Sequence, residues 1–520
     1  MPEESDDRAL LERWRAGLRG DRDRASYALT RFVVLRWLGA MYGVGFLIGL
    51  FQIRGLLGEN GILPVGWFLA DVRDELGSSA FLKLPTLFWL GHSDAALMVA
   101  MGAGFALSLC VVCGFANAPV LIALWALYLS LIHVGQTFYS FGWEILLLEA
   151  GFLAIFLAPP WRLRPFAPPP APLPVIWLLR WLAFRLMFGA GLIKLRGDAC
   201  WTDLTCLQFH YETQPNPSPL SWYFHHLPAP FHTGGVLFNH FVELIAPWGL
   251  FGPRRVRHVA GVFLVVFQIT LILSGNLSFL NWLTIGVCLS AFDDAALLRV
   301  VPRNLRAAVE RRTAELAAAR IEPLWHKGVI WALVAIVSLL SINPVVNMLS
   351  TRQAMNASFD PLHLVNTYGA FGSVTRERNE IVLEGTDDET LDEFTEWKEY
   401  EFPCKPGDPQ RRPCLITPYH YRLDWQMWFA AFGDYRSQPW ILRLIWELLD
   451  NDRAVLGLFA KNPFPDRPPR YIRALVYRYH FTDDRREGWW RRELVGEYLP
   501  PLSRDNREFR ALLERRGWLR

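Results

Sequence analysis

The first pattern in the chain is a series of long apolar stretches separated by polar turns. A transmembrane helix needs roughly 20 consecutive apolar residues, and about nine stretches approach that length. The predicted spans are residues 32–51, 95–112, 118–135, 143–159, 174–193, 234–251, 257–274, 277–292 and 329–349. The pattern therefore predicts a membrane protein with an α-helical polytopic bundle.

Beyond residue 350 the apolar stretches stop and shorter patterns replace them. Tyr471–Phe481 alternates and is rich in β-branched and aromatic residues, as is the shorter Asn379–Gly385, so both are predicted strands. Pro439–Leu449 has helical spacing, and Arg504–Trp518 predicts a charged amphipathic helix. We expect a mostly β soluble domain with one or two helices and its own core.

The loop charges predict the orientation of the bundle. Basic residues prefer the cytoplasmic side of a membrane, and they gather on the loops after even-numbered spans, including Arg162, Arg164 and the 293–328 linker. An odd number of spans then places the two ends of the chain on opposite sides. The predicted regions are a cytoplasmic N-terminal segment 1–31, a transmembrane domain 32–349 with an outer loop 194–233, and an extracytoplasmic domain 350–520.

The composition supports a membrane protein and narrows its partners. The chain is 52% hydrophobic with 23 Trp, which is too apolar for an ordinary soluble enzyme. A net charge of +3 is close to balance and does not indicate nucleic-acid binding. The bias toward Arg, Ala and Pro is typical of a GC-rich bacterial genome, which would place the protein in a bacterial inner membrane.

Four cysteines fall on the predicted outer side, where disulfides persist. Cys200 and Cys206 lie on the loop after the fifth span, and Cys404 and Cys414 lie in the C-terminal domain. Each pair could close a short loop, or a bond could join the outer loop to the domain. Free thiols are the remaining alternative, and the spacing does not choose among these.

Ionisable residues near the membrane are the first candidates for chemistry, because burying them there is unfavourable. Lys194 ends the fifth span, and His240 and Glu243 share one helix face at i, i+3 spacing. A partly desolvated lysine has a lowered pKa and can act as a base, with His240, Glu243 and His210 as relay groups. The alternative is a lysine that extends its ammonium group to the membrane surface.

Other charged residues within the spans are expected to hold the bundle together. Glu144 or Glu149 is predicted to form interhelical ion pairs with Arg180 or Arg185.

The outer loop is dense in polar and aromatic groups and is predicted to form a docking or gating surface, or a lid. Its candidate residues are Trp201, Tyr211, Glu212, Gln214, Trp222 and His225. His210 with Glu212 is too weak a pattern to predict a metal site. In the C-terminal domain the densest cluster contains Arg422, Asp424 and Trp425, for which a buried Arg422–Asp424 pair is favoured over client contact.

Several segments carry a resemblance to a known family. They are GAGLIKLRGDACWTDLTCLQFHYETQPNP (Gly189–Pro217), FNHFVELIAPW (Phe238–Trp248), NTYGAFGSVTRERNEIVLEG (Asn366–Gly385), YRLDWQMWFAAFG (Tyr421–Gly433) and GWWRRELVGEYLPP (Gly488–Pro501). Together they resemble the lipase maturation factors. The resemblance implies a multi-pass membrane folding factor without known cofactors, which contacts membrane lipid and assists secreted lipase-like clients. In animals these proteins reside in the endoplasmic reticulum.

A shorter resemblance implies an alternative function. FGAGLIKL followed by Trp201 is similar to a motif in the membrane domain of vitamin-K-dependent γ-carboxylases and their bacterial relatives. There the lysine is the base that acts on the quinol, which implies an enzyme using Lys194 on a lipid, quinone or secreted protein. A lipid-sized cavity touching Lys194 and His240 would favour the enzyme; a solid bundle with an aromatic outer groove would favour the folding factor, which is the preferred hypothesis.

Overall fold

Helices make up most of the chain from Ala28 to Leu349. The computed structural model describes residues 26–164, 166, 169–318 and 323–519, so residues 1–25 of the predicted cytoplasmic segment lie outside the described chain. The helices of this region are Ala28–Leu57, Val65–Leu76, Ala80–Lys83, Asp94–Cys113, Ala118–Val134, Gly142–Leu157, Leu173–Arg196, Ala199–Thr202, Leu207–Thr213, Pro219–His225, Ala229–His240, Arg254–Ser274, Leu280–Cys288, Asp294–Leu297, Arg303–Ala318, Leu324–Leu340 and Ile342–Leu349.

Within the described residues, five helical segments are long and apolar enough to cross a membrane. They are Ala28–Leu57, Asp94–Cys113, Leu173–Arg196, Arg254–Ser274 and Leu324–Leu349. Ala118–Val134 and Leu280–Ala291 are shorter apolar helices. The multi-pass helical region is therefore present, whereas the predicted nine spans are not confirmed.

The sixth predicted span is not one regular helix. The helix Ala229–His240 continues into a π-helical turn, Phe241–Ile245, and then a 3₁₀ segment, Ala246–Phe251. Pro247 lacks the N–H that would continue an α-helical ladder, and its ring clashes with the preceding turn. Single π turns are frequent at functional sites, and this one carries Glu243.

A four-stranded antiparallel sheet forms the centre of the C-terminal region. Its order is β2-β1-β3-β4, and the strands are β1 Arg378–Thr386, β2 Lys398–Glu399, β3 Tyr471–Phe481 and β4 Trp490–Leu502. The predictions for β1 and β3 are confirmed. β1 pairs with β3 along the whole length of β1, from Arg378 opposite Tyr479 to Thr386 opposite Tyr471.

The C-terminal region is more helical than the sequence predicts. Its helices among the described residues are Arg422–Ala430, Trp440–Leu449, Arg453–Leu456 and Arg507–Arg515. The second and fourth match the predicted helices. Arg422–Ala430 was missed because it is buried almost all round and so lacks the polar face that marks an amphipathic helix.

Aromatic and polar contacts join the C-terminal region to the helical bundle. The Trp425 ring lies 4.9 Å from the ring of Trp143, at the start of the helix Gly142–Leu157. From the helix Ala28–Leu57, the Gln52 amide donates to the His420 carbonyl at 2.7 Å and accepts from the Arg422 N–H at 2.9 Å. The C-terminal region is thus packed directly on the helices.

Candidate functional site

Lys194 is buried in an ion pair at the end of the helix Leu173–Arg196. Its ammonium donates to the Glu243 carboxylate at 2.5 Å and to the Asn239 amide oxygen at 3.0 Å. Asn239 in turn donates to the second Glu243 oxygen at 2.9 Å. Only 4% of Lys194 is exposed, so the prediction that it extends to the membrane surface is wrong.

The surroundings of this pair favour a structural role. The Lys194 ammonium also lies 5.0 Å from the centre of the Trp201 ring, within cation–π distance. Two buried opposite charges are tolerated when their geometry is close and their remaining hydrogen-bonding groups are satisfied. The Lys194–Glu243–Asn239 triad meets this condition and ties the fifth predicted span to the π turn.

The two candidate relay histidines have other partners. The His240 ring nitrogen Nε2 lies 2.9 Å from the Trp201 carbonyl, and the His210 ring packs edge-to-face on Phe371 with centroids 4.7 Å apart. Burial, reinforced by the charge of Lys194, lowers the pKa of His210 to about 4. In the described part of the chain, no hydrogen bond joins either histidine to Lys194 or Glu243.

A cavity of about 440 Å³ lies beside this cluster. Of the four candidate catalytic residues, Glu243 alone is among the described residues that line it. The structure therefore matches neither of the two arrangements proposed to separate an enzyme from a folding factor. A small-molecule-sized cavity exists, but Lys194 and His240 do not line it.

The outer loop is fixed to the C-terminal sheet by Arg378 of β1. The Arg378 guanidinium donates to the carbonyl of Glu212 at 2.7 Å, to that of Pro215 at 2.8 Å, and to that of Gln214. The same buried guanidinium pairs with the Glu380 carboxylate at 2.6 Å. One strand side chain thereby satisfies a turn of loop backbone that would otherwise need water.

Two carboxylates of the loop make further contacts with the C-terminal region. Glu212 accepts from the Phe481 N–H at 2.8 Å and lies 3.2 Å from the His480 ring nitrogen. Asp198 accepts from the Arg376 guanidinium at 2.8 Å, and this bond lowers the pKa of Asp198 to about 2. The loop is therefore held near its start and at its middle.

The predicted loop residues are mostly interior. Trp201, Tyr211, Glu212 and Gln214 are buried, whereas Trp222 and His225 are partly buried. Those side chains therefore hold the loop in place and present little surface to a partner. Among the described residues, no group of three or more His, Cys, Asp or Glu side chains could hold a metal ion.

An exposed aromatic group beside the loop was not predicted. Arg485 lies over two rings, 5.2 Å from the centre of Tyr223 and 4.9 Å from that of Trp489. Tyr223 is 45% exposed, and Arg485 is also exposed. We call Tyr223, Arg485 and Trp489 the aromatic patch. Tyr223 is far in sequence from Arg485 and Trp489, so residue spacing gave no signal for this contact.

The predicted ion pairs of the bundle are confirmed in part. Arg185 pairs with Glu149 in the interior. Arg180 instead donates to the Ser290 carbonyl at 3.0 Å and the Tyr27 hydroxyl at 2.9 Å. The prediction was wrong for Arg180 because its guanidinium binds the Ser290 carbonyl and the Tyr27 hydroxyl, which are far from it in sequence.

Glu144 and Asp424 also have unexpected partners. Arg422 pairs with Glu144 at 2.7 Å, so the predicted Arg422–Asp424 pair is wrong. Asp424 accepts instead from the backbone N–H groups of Cys404 at 2.7 Å and Lys405 at 2.8 Å. Asp424 lies in the first turn of its helix, and its carboxylate holds the segment that carries Cys404.

Each predicted cysteine pair closes its own loop. Cys200 is bonded to Cys206, and Cys404 is bonded to Cys414. The alternative of a bond between the outer loop and the C-terminal region is not formed. Asn276, which lies between the seventh predicted span and the eighth, connects the two by hydrogen bonds. Its side-chain amide donates to the Cys414 carbonyl at 2.9 Å, and its backbone N–H donates to the Asn216 carbonyl of the loop at 3.1 Å.

These features define a multi-pass membrane protein. Its outer loop is bound to a mixed α/β region that follows the last candidate membrane helix. Comparison with known proteins identifies the family. The model described as "Lipase maturation factor transmembrane domain" matches residues 29–299, and "Lipase maturation factor C-terminal domain" matches residues 364–500. This chain belongs to the lipase maturation factor family.

Full-length relatives support the same assignment. The chain is 48% identical to lipase maturation factor 1 of Bos taurus over 95% of this chain and 92% of that protein. It is 46% identical to the Homo sapiens protein of the same name, over 95% and 91%. Lipase maturation factor 2 of Homo sapiens is 31% identical, over 95% and 85%. No solved structure matches the chain.

Proposed function

We propose that this chain is a multi-pass membrane factor that assists the maturation of secreted lipases. The observation that carries the proposal is the 46–48% identity to proteins named lipase maturation factor 1 over 95% of the chain. The clamped loop and sheet offer such a factor a rigid face for a client protein. Secreted lipase-like proteins are the proposed clients.

The alternative, a carboxylase-like enzyme acting on a lipid, quinone or secreted protein, is less well supported. It needs Lys194 as a base beside its substrate. Lys194 instead donates to Glu243 and Asn239, and it does not line the neighbouring cavity. The geometry favours an ion pair that holds the bundle together.

The proposed orientation places the C-terminal region on the exported side of the membrane. That side would be the lumen of the endoplasmic reticulum in eukaryotic relatives and the outer face of the inner membrane in a bacterium. The positions of the basic loops support it. The two disulfides agree with it, because disulfides persist in oxidising compartments.

For client binding we propose the aromatic patch of Tyr223, Arg485 and Trp489. Interface hot spots are enriched in Trp, Tyr and Arg, and these three side chains lie together where the loop meets the sheet. The buried loop residues Trp201, Tyr211, Glu212 and Gln214 would position this patch from below, with Trp222 donating to the Thr482 carbonyl at 2.9 Å.

A rescue experiment tests this function and its surface. Cells that lack their own lipase maturation factor would express a secreted lipase with the wild-type chain, a Tyr223→Ser/Arg485→Ser variant, or a Phe394→Ser control. Phe394 is 83% exposed and lies outside the patch. We expect wild type and Phe394→Ser to raise lipase activity per molecule, and the double variant to raise it less at equal protein level. Failure of the wild type would contradict the function; full rescue by the double variant would contradict the surface alone.

A further inference from the structure

The cavity next to Glu243 lies at one end of the helical bundle, where the C-terminal region covers it. Its membrane-side wall includes Leu186, Phe267 and Leu271, and the C-terminal region contributes Trp428 and Phe432. The volume of about 440 Å³ is within the roughly 300–1,000 Å³ of small-molecule sites. A ligand in this cavity would be largely apolar, with one end close to the polar residues of the wall.

Two residues of the cavity wall carry unpaired polar atoms. The Trp143 indole N–H and the Asn281 side-chain oxygen have no hydrogen-bond partner among the described residues. Trp143 is 4% exposed and Asn281 is 2% exposed. The Asn281 NH₂ group donates to the Gln268 oxygen at 2.8 Å, which leaves its own oxygen as the free acceptor. Buried polar groups are nearly always paired. The Trp143 N–H and the Asn281 oxygen are therefore a donor and an acceptor that a bound ligand could engage.

The charges of the wall limit the ligand further. Glu243 is the one charged residue among the described lining residues, and its two oxygens are engaged by Lys194 and Asn239. The described residues of the wall therefore offer no free cation to a phosphate or carboxylate. An anionic headgroup would be desolvated there without a counter-charge, which is strongly unfavourable.

We propose that the cavity binds an uncharged single-chain lipid that carries a hydroxyl group. A hydroxyl both donates and accepts, so the hydroxyl groups of such a lipid can donate to the Asn281 oxygen and accept from the Trp143 indole N–H. The acyl chain packs along Leu186 and Phe267. This site does not depend on any lipase client.

The selectivity of the wild-type protein gives the first test. The full chain, purified in detergent, is titrated at about pH 8 with 1-monooleoylglycerol or with oleate, which share one acyl chain and differ in charge. Native mass spectrometry measures the bound fraction. We expect the uncharged lipid to bind at least about tenfold more tightly, a difference typical of leaving a buried group unpaired. Equal or tighter binding of oleate, or no binding of 1-monooleoylglycerol, would overturn the proposal.

Two variants then test the assigned contacts. Trp143→Phe keeps an aromatic ring and removes the indole N–H, and we expect it to weaken 1-monooleoylglycerol binding about tenfold. Thr284→Val is the matched control, because the Thr284 hydroxyl lines the same cavity but already donates to the Leu280 carbonyl at 2.8 Å. Wild-type affinity in Trp143→Phe, or an equal loss in both variants, would contradict the site.

Discussion

Arg422 of the C-terminal region pairs with Glu144 of the membrane helix Gly142–Leu157 at 2.7 Å, and both side chains are fully buried. The Arg422 guanidinium also donates to the Phe138 carbonyl at 2.8 Å and lies 3.5 Å from the centre of the Tyr139 ring. A second carboxylate of the same helix, Glu149, accepts from the Asn366 N–H at 2.9 Å. Two acids of one membrane helix thus bind the C-terminal region to the bundle.

Removing Arg422 should destabilise the protein severely. Arg422→Leu leaves the Glu144 charge buried without a counter-charge, with the Tyr128 hydroxyl still donating to it, and this costs about 3–5 kcal/mol of unfolding free energy. The double variant Arg422→Leu/Glu144→Leu should recover most of this loss. Thermal unfolding in detergent and protein level report both effects. Arg467→Leu, which breaks a largely exposed pair with Asp387, serves as the control and should change little. A double variant no better than Arg422→Leu would contradict this account.

Counting reactive thiols checks the disulfides. In denatured, unreduced protein, we expect an alkylating reagent to label Cys110, Cys113 and Cys288, which are unpaired in the structure. After reduction all seven cysteines should react. Mass spectrometry of the intact chain gives the number of labels. Seven labels without reductant would show that neither bond forms and would remove the support that the disulfides give to the orientation.

Asp424 should make stability fall as the pH rises. Burial raises the pKa of this carboxyl to about 6, despite the opposing N–H bonds from Lys405 and Cys404. In the unfolded chain the pKa is about 3.9, so the folded state holds the proton more tightly. The stabilisation is therefore complete below about pH 4 and is lost as the pH rises through about 6, by roughly 3 kcal/mol.

The variant Asp424→Asn isolates this effect. Its amide oxygen can still accept the Cys404 and Lys405 N–H groups, but it does not ionise. We expect wild type and variant to unfold at similar temperatures near pH 4, and the variant to be more stable above about pH 7. Parallel curves for the two proteins from pH 4 to pH 8 would contradict the raised pKa of Asp424.

Removing one charge of the Lys194–Glu243 pair should destabilise the protein. Removing both charges together should have much less effect. Lys194→Met leaves the buried Glu243 carboxylate without a counter-charge, although Asn239 still donates to it, with an expected cost of about 3–5 kcal/mol. Lys194→Met/Glu243→Met removes both charges and should restore most of the protein level. The amount of folded protein that remains in detergent solution after heating measures the difference. A stable single variant would show that the ion pair does not hold these helices.

Local patterns predicted the regular elements well. Tyr471–Phe481 forms β3 over the predicted residues because its alternation matches a strand with one buried face. β4 was missed because register shifts near Leu494 and Gly496, together with Pro500 and Pro501, interrupt any alternation. A bulge places an extra residue in one strand and moves later side chains to the other face.

The candidate site was predicted less completely, since its contacts join distant segments. Lys194 and Glu243 were both predicted as candidates because burying a charge in a membrane is unfavourable. Their pairing depends on how the π turn packs against another helix. Arg422 and Glu144 are separated by 278 residues. The nearer acid Asp424 therefore looked like the better partner. The sequence identifies charged groups that are unfavourable to bury, whereas tertiary packing decides which of these groups pair.

On the proposed function, this chain raises lipase maturation without chemistry at Lys194. The most direct measurement is lipase activity per secreted lipase molecule in factor-deficient cells that carry no chain, the wild type, or Lys194→Met/Glu243→Met at matched protein level. We predict that wild type and double variant raise this ratio equally above the empty cells. A ratio unchanged by the wild type would contradict the function, and a ratio raised by wild type alone would point to a reaction at Lys194.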